Sequence, residues 1–256
     1  MVTFNVDLKE FALLLAIIVR MGIVLFMLPI FNTRSVPSTV KALLVISFSV
    51  MLFPFIHQYV RPVPFEPAPL AGIIFGELIF GVFFSLAMLI VVSAFELAAQ
   101  LIDFEMGLGF AQSVAPQERA SVSVLSAFYQ LLAILVLLSV NGHLIIIRIL
   151  VHSFKVIPVG SFAISAGLFR RMVMLSAMLF VLALKLAAPA MAALILTQVG
   201  MGLMSKFAPQ VNILATSFPV TIFIGMLFLS VTMVFWGQLA SQSFAGLFSF
   251  LKNFSR

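Results

Sequence analysis

Residues 70–102 read LAGIIFGELIFGVFFSLAMLIVVSAFELAAQLI, an apolar run whose only charges are Glu77 and Glu96. It is longer than the ~20 apolar residues a helix needs to cross a bilayer. The two carboxylates stand nineteen residues apart, about 28 Å along a helix rising ~1.5 Å per residue. That is close to the ~30 Å hydrocarbon thickness, so both fall near opposite interfaces. Gly72 and Gly76 form a small-xxx-small pair, a surface for close helix packing.

The rest of the chain has the same texture. Of its 256 residues 63% are hydrophobic, against ~45–50% in soluble domains. Only 9% are charged, where ~25% is usual, and mean hydropathy is +1.27. A soluble globule must cover itself with polar groups, so the composition points to an all-α integral membrane or membrane-assembly protein. Further apolar runs occupy 11–31, 40–56, 122–140, 172–196 and 211–236, and leave no room for a separate catalytic domain. The run 40–56 contains Pro54 and is short, so it is expected to pair with the first as a hairpin rather than span alone. Asp7 and Glu10 stand at capping-box spacing before the first helix, and no basic leader marks a secretory signal. Apolar spacing at Leu239, Phe244, Leu247, Phe248 and Leu251 prolongs the last helix.

Between 102 and 122 the texture changes. Asp103-Phe104-Glu105-Met106-Gly107-Leu108-Gly109-Phe110 leads toward Pro116, and two glycines followed by a proline break helical continuity. Loose backbone carrying Met106, Leu108 and Phe110 suits either a plain connector or a soft stopper in an aqueous passage, methionine being pliable enough to seal irregular gaps.

Charge is divided along the chain. All eight acids lie at or before Glu118, and nine Lys/Arg with no acid follow from Arg119. The cations are scattered among apolar runs rather than gathered in a stripe with exposed aromatics, so no nucleic acid partner is expected. Counting loop cations places both termini in the cytoplasm. Cysteine is absent, which excludes disulfides and thiolate metal sites. His143 and His152 fall on opposite faces of any shared helix, and no nucleophile, phosphate or zinc motif appears. No enzymatic activity, metal or cofactor is expected. Arg20, Glu77, Glu96 and Lys185 remain as ionisable groups within spans, each costing at least ~2.5–3.5 kcal/mol at a bilayer centre. They read as polar contacts that lock an assembly or, alternatively, as the ion relay of a polytopic secondary transporter or channel.

The order and spacing of several motifs resemble the FliR family, the export-gate proteins of flagella and of type III secretion injectisomes. Arg20 with Pro29, Phe31, Val36-Pro37 and Lys41 is similar to its opening pattern, and Gly76-Glu77-Leu78 with Gly81 to its third segment. Met106-Gly107-Leu108 with Phe110-Ala111 and Pro116 resembles its central loop. Asn141-Gly142-His143, Ser153-Phe154 and Pro158-x-Gly160 follow, then Ala208-Pro209-Gln210-Val211-Asn212 with Phe218-Pro219. One departure is Ala115, where the family often has an acid before the loop proline.

The resemblance implies a core subunit of the flagellar type III secretion export gate, assembled with FliP and FliQ homologues, meeting FlhB and FlhA homologues, and passing unfolded export substrates. It implies kinked helical hairpins among membrane lipid, in the bacterial inner membrane at the flagellar basal body. Residues 1–170 are expected to be FliP-like and to include a plug loop at 104–121, and 171–256 to form a FliQ-like hairpin. The plug residues are Met106, Gly107, Leu108, Gly109, Phe110 and Pro116, with the two glycines as hinges. Arg20, Glu77, Glu96 and Lys185 become inter-subunit polar contacts. Lys206, Pro209, Gln210 and Asn212 form a turn facing the cytoplasm, which puts the C-terminus on the periplasmic side, against the loop-cation count.

Overall fold

The computed structural model describes residues 8–28, 31, 36–59, 64–108, 124–162, 166–208, 210 and 212–254, and among them every regular element is a helix. The elements are α1 (Leu8–Met27), α2 (Ser38–His57), α3 (Pro67–Met106), α4 (Val124–Ser139), α5 (Gly142–Val156), α6 (Ala166–Phe207) and α7 (Ile213–Phe254). The chain is an all-α membrane protein. Five of the helices (α1, α2, α3, α6 and α7) are long and apolar enough to cross a bilayer, and α4 with α5, bent by 69° at their break, meets the same test only when the two are taken together.

Local chemistry sets the boundaries. Pro67 opens α3 where its missing N–H costs nothing. Asn141 separates α4 from α5 in the left-handed region, φ 54°, and its carbonyl accepts from Leu144 and Ile145 to start the new helix. Pro54, Pro189 and Pro219 lie inside α2, α6 and α7, as membrane helices tolerate where neighbours satisfy the freed carbonyl. Two expectations change. α2 runs for 20 residues and reaches crossing length by itself, because Ser38, Lys41 and His57 extend the apolar core without breaking it. α3 continues through Asp103–Phe104–Glu105 to Met106: nothing in those side chains stops a helix, and Gly107 does. With 40, 42 and 42 residues, α3, α6 and α7 are each about 60 Å long, twice the hydrocarbon core.

By their contacts the helices group into two compact units. One comprises Met1–Ile90, Asn141–Leu175 and Phe244–Arg256, the other Val91–Val140 and Ser176–Ser243. Both draw on segments from either side of residue 170.

In the first unit α1 packs on α2, with His57 against Glu10 at 3.8 Å and Phe11 edge-on to Phe65 at 6.5 Å. Its centre is a charge. Arg20 on α1 is wholly buried, and its Nε and Nη2 donate to the two carboxylate oxygens of Glu77 on α3, the Nη2–Oε1 bond measuring 3.0 Å. Nη1 donates to Ser153 Oγ at 3.3 Å and to the Ile157 carbonyl at 3.1 Å. The guanidinium lies between the rings of Phe80 and Phe154, 4.4 and 4.2 Å from their centroids. Glu77 Oε1 also accepts the N–H of Gly160 at 2.9 Å. A buried charge persists only when paired and hydrogen-bonded in this way.

The second unit has an aromatic centre. Trp236 on α7 meets Tyr129 on α4 edge-on, centroids 3.8 Å apart, and Phe95 on α3 at 6.0 Å. Ala94, Ala98 and Ala99 are fully buried beside them, small residues that let helices approach closely.

Candidate functional site

Three contacts within the second unit hold the end of α3. Met106 is the last helical residue and is fully buried. Its side chain lies against Gly225 on α7, so close that a Cβ there would stand 2.6 Å from the methionine Sδ. Its carbonyl lies 3.1 Å from the hydroxyl of Thr221, one turn earlier on α7. That hydroxyl has one proton and is also within reach of the Ser217 and Phe218 carbonyls, at 3.0 and 3.1 Å.

Gly107 then ends the helix. Its N–H donates to the Phe104 carbonyl at 3.1 Å, and its φ of +79° costs a residue with a Cβ roughly 1–2 kcal/mol. Space requires glycine as well, since a Cβ would meet the Phe218 ring at 2.5 Å. A third tie comes from α6, where Gln198 Nε2 donates to the Glu105 carbonyl at 3.0 Å and to its carboxylate at 2.9 Å. Leu108, the next residue, is exposed. The arrangement anchors the end of α3 by packing, one shared hydroxyl and the Gln198 amide.

The residues singled out in the sequence are distributed as follows. Met106 belongs to the helical core rather than to a loop, because the helix runs until Gly107, whose positive φ ends it. Gly107 is the stop beside it, and Leu108 leads outward. Gly109, Phe110 and Pro116 lie outside the described residues. Arg20 and Glu77 satisfy each other within the chain, so neither needs a partner subunit to neutralise it. Glu96 is half-buried and hydrogen-bonded to Gln130 on α4. Lys185 is exposed on α6, with no ion pair among the described residues. Lys206 and Gln210 are exposed, Pro209 lies outside the described residues, and Asn212 caps α7 by accepting the N–H of Ala215 on Oδ1 at 3.3 Å.

Sequence reasoning passed over Phe218, Thr221 and Gly225 as a working face. Their spacing of three, then four, residues places them on one stripe of α7, and that spacing is the signal by which they are found. Gln198, Ser153 and the Gly160 N–H carried no such mark.

Comparison with known proteins bears on this geometry. The family described as bacterial export proteins, family 1, matches residues 11–247. The flagellar biosynthetic protein FliR of Pectobacterium carotovorum subsp. carotovorum is 27% identical over 227 residues, 88% of this chain and 85% of that protein. The FliR of Escherichia coli (strain K12) is 27% identical over 225 residues, with the same shares. The FliR of Aquifex aeolicus (strain VF5) is 28% identical over 234 residues, 90% of this chain and 88% of its own.

Proposed function

The chain belongs to the bacterial export proteins, family 1, and from that premise we propose that it is a core subunit of the flagellar type III secretion export gate in the bacterial inner membrane. It is a membrane component of a flagellar protein-export apparatus, and its work is gating rather than catalysis. In this reading FliP and FliQ homologues complete the channel for unfolded substrates, and FlhB and FlhA homologues meet it. Residues 1–170 stand as a FliP-like portion and 171–256 as a FliQ-like hairpin, with its turn at Lys206, Pro209, Gln210 and Asn212 toward the cytoplasm. The loop within 104–121 is the plug, formed by Met106, Gly107, Leu108, Gly109, Phe110 and Pro116, with the two glycines as hinges and Phe110 as the apolar seal.

The observation that carries the assembly is Lys185. It lies midway along a 42-residue apolar helix, exposed, in a half of the chain that contains no acid. Facing lipid it costs at least ~2.5–3.5 kcal/mol, so a polar partner or an aqueous lumen covers it. Lys185→Leu is expected to leave the chain folded and to lose co-eluting small membrane subunits on purification in mild detergent. Full retention of those subunits overturns the assembly reading. Deleting residues 108–114, which spares buried Met106, is expected to preserve the complex and make the membrane leak small ions. Normal ion tightness in that deletion ends the plug reading. A lone oligomer carrying proton-coupled flux installs the transporter reading instead.

A further inference from the structure

α1, α2 and α3 of the first unit line an open groove of about 480 Å³ whose lining is apolar, among its residues Gly22, Phe26, Ala42, Val45, Ile74 and Leu78. That volume falls within the ~300–1,000 Å³ range of ligand sites. Glycine makes the floor: a Cβ at Gly22 would already touch Val45 Cγ1 at 3.4 Å, and a larger side chain there fills the space. Along α1 the lining extends from Ile18 to Phe26, about 12 Å at ~1.5 Å per residue, a length that suits part of an extended hydrocarbon chain.

Charge identifies the mouth. α1 and α2 run antiparallel, since Glu10 at the start of α1 meets His57 at the end of α2. Phe26 and Ala42 therefore share the opposite end. Lys41, half-buried in the first turn of α2, is four residues from Val45 and so on the groove's face. Helical Cα–Cβ bonds tilt toward the helix N-terminus, the direction in which a lysine at this end of α2 reaches a membrane interface. No described carboxylate answers it. Glu10 is engaged at the far end, where the Phe11–Phe65 contact also places Glu66, and Glu77 is taken by Arg20. By sequence, residues 28–37 between α1 and α2 contain no acid.

We propose that this groove binds one acyl chain of an anionic phospholipid, with the lipid phosphate held at Lys41. The pairing satisfies both halves of the site: the hydrocarbon fills an apolar groove, and the phosphate supplies the counter-charge that this end lacks. The site is independent of the gate reading.

The test uses the full chain with its co-purifying partners, in phosphatidylcholine vesicles containing phosphatidylglycerol brominated on its acyl chains. Phe26→Trp reports quenching at the mouth, after subtraction of the signal from Trp236. Brominated phosphatidylglycerol is expected to quench about fivefold more effectively than brominated phosphatidylcholine at equal content, the ratio that one lysine near an anionic surface supports. Lys41→Gln should erase the headgroup preference, Lys41→Arg should keep it, and Gly22→Leu should abolish quenching from the groove with either lipid. Equal quenching by the two lipids, or a preference that survives Lys41→Gln, overturns the proposal. So does the absence of quenching in the assembled complex, which would assign the groove to a protein neighbour.

Discussion

Two joints in this molecule use a left-handed glycine under a bulky side chain, and they are held by different forces. Gly160, φ +78°, fits beneath Ile73, and Gly107, φ +79°, beneath Phe218. Around Gly160 an ion pair, two further guanidinium bonds and a bond from the glycine N–H to Glu77 leave little unsatisfied. Around Gly107 the bonds are neutral, apart from that of Gln198 to the Glu105 carboxylate, and the buried contact is methionine on glycine. Charge-assisted bonds in an apolar interior are roughly twice as strong as neutral ones, and breaking them strands a charge. The first joint is thus fixed, while the second parts at modest cost.

The largest effect tests the fixed joint. Arg20→Leu leaves Glu77 buried without its partner and is expected to cost about 3–5 kcal/mol, read as lost accumulation and a lower thermal midpoint in detergent. Adding Glu77→Leu should restore part of that loss, because an apolar pair of similar volume replaces a buried ion pair at little cost. A single variant as stable as the parent would erase the contrast between the joints. Gly107→Ala ranks next. The positive φ costs roughly 1–2 kcal/mol and displacing the Phe218 ring roughly 1–3 kcal/mol more, so about 2–5 kcal/mol is expected in sum. In a Phe218→Ala background only the backbone part should remain. If the two substitutions are additive in thermal denaturation, the ring does not confine Gly107.

The fold was legible wherever one physical effect dominated. The 70–102 run spells a helix because an apolar stretch of that length, interrupted only by Glu77 and Glu96, satisfies its backbone in lipid by coiling, and Asn141-Gly142 marks a break because its backbone conformation is rare. The end of α3 was misjudged for a related reason. Asp103 and Glu105 look like loop residues by polarity, but this helix ends where the backbone turns left-handed, at Gly107, and not at Gly72, Gly76 and Gly81, which stay helical within it. Long-range pairing was the least legible part. Arg20 and Glu77 were both conspicuous, yet one sequence does not reveal that residues fifty-seven apart meet inside the chain and not across a subunit boundary. Lys185 looked no different from Arg20 in sequence, and only its exposure separates them.

The smallest expected effect is the most telling for the second joint. Thr221→Val keeps shape and β-branching but removes the one hydroxyl that reaches the Met106 carbonyl. A neutral bond of this kind contributes about 0.5–1.5 kcal/mol net, and the lower end applies because its proton is divided among three acceptors. Global stability should therefore barely move. Local opening should respond more clearly, since the end of α3 is free to detach without unfolding the aromatic centre around Trp236. Hydrogen exchange over residues 104–107 is expected to accelerate about threefold, while the amides around Arg20 keep their parent rates. Equal acceleration in both places would mean that the two joints open together, and the α3 terminus would then be a structural end like any other. Acceleration confined to 104–107 would identify a hinge whose stiffness is set by packing against one face of α7.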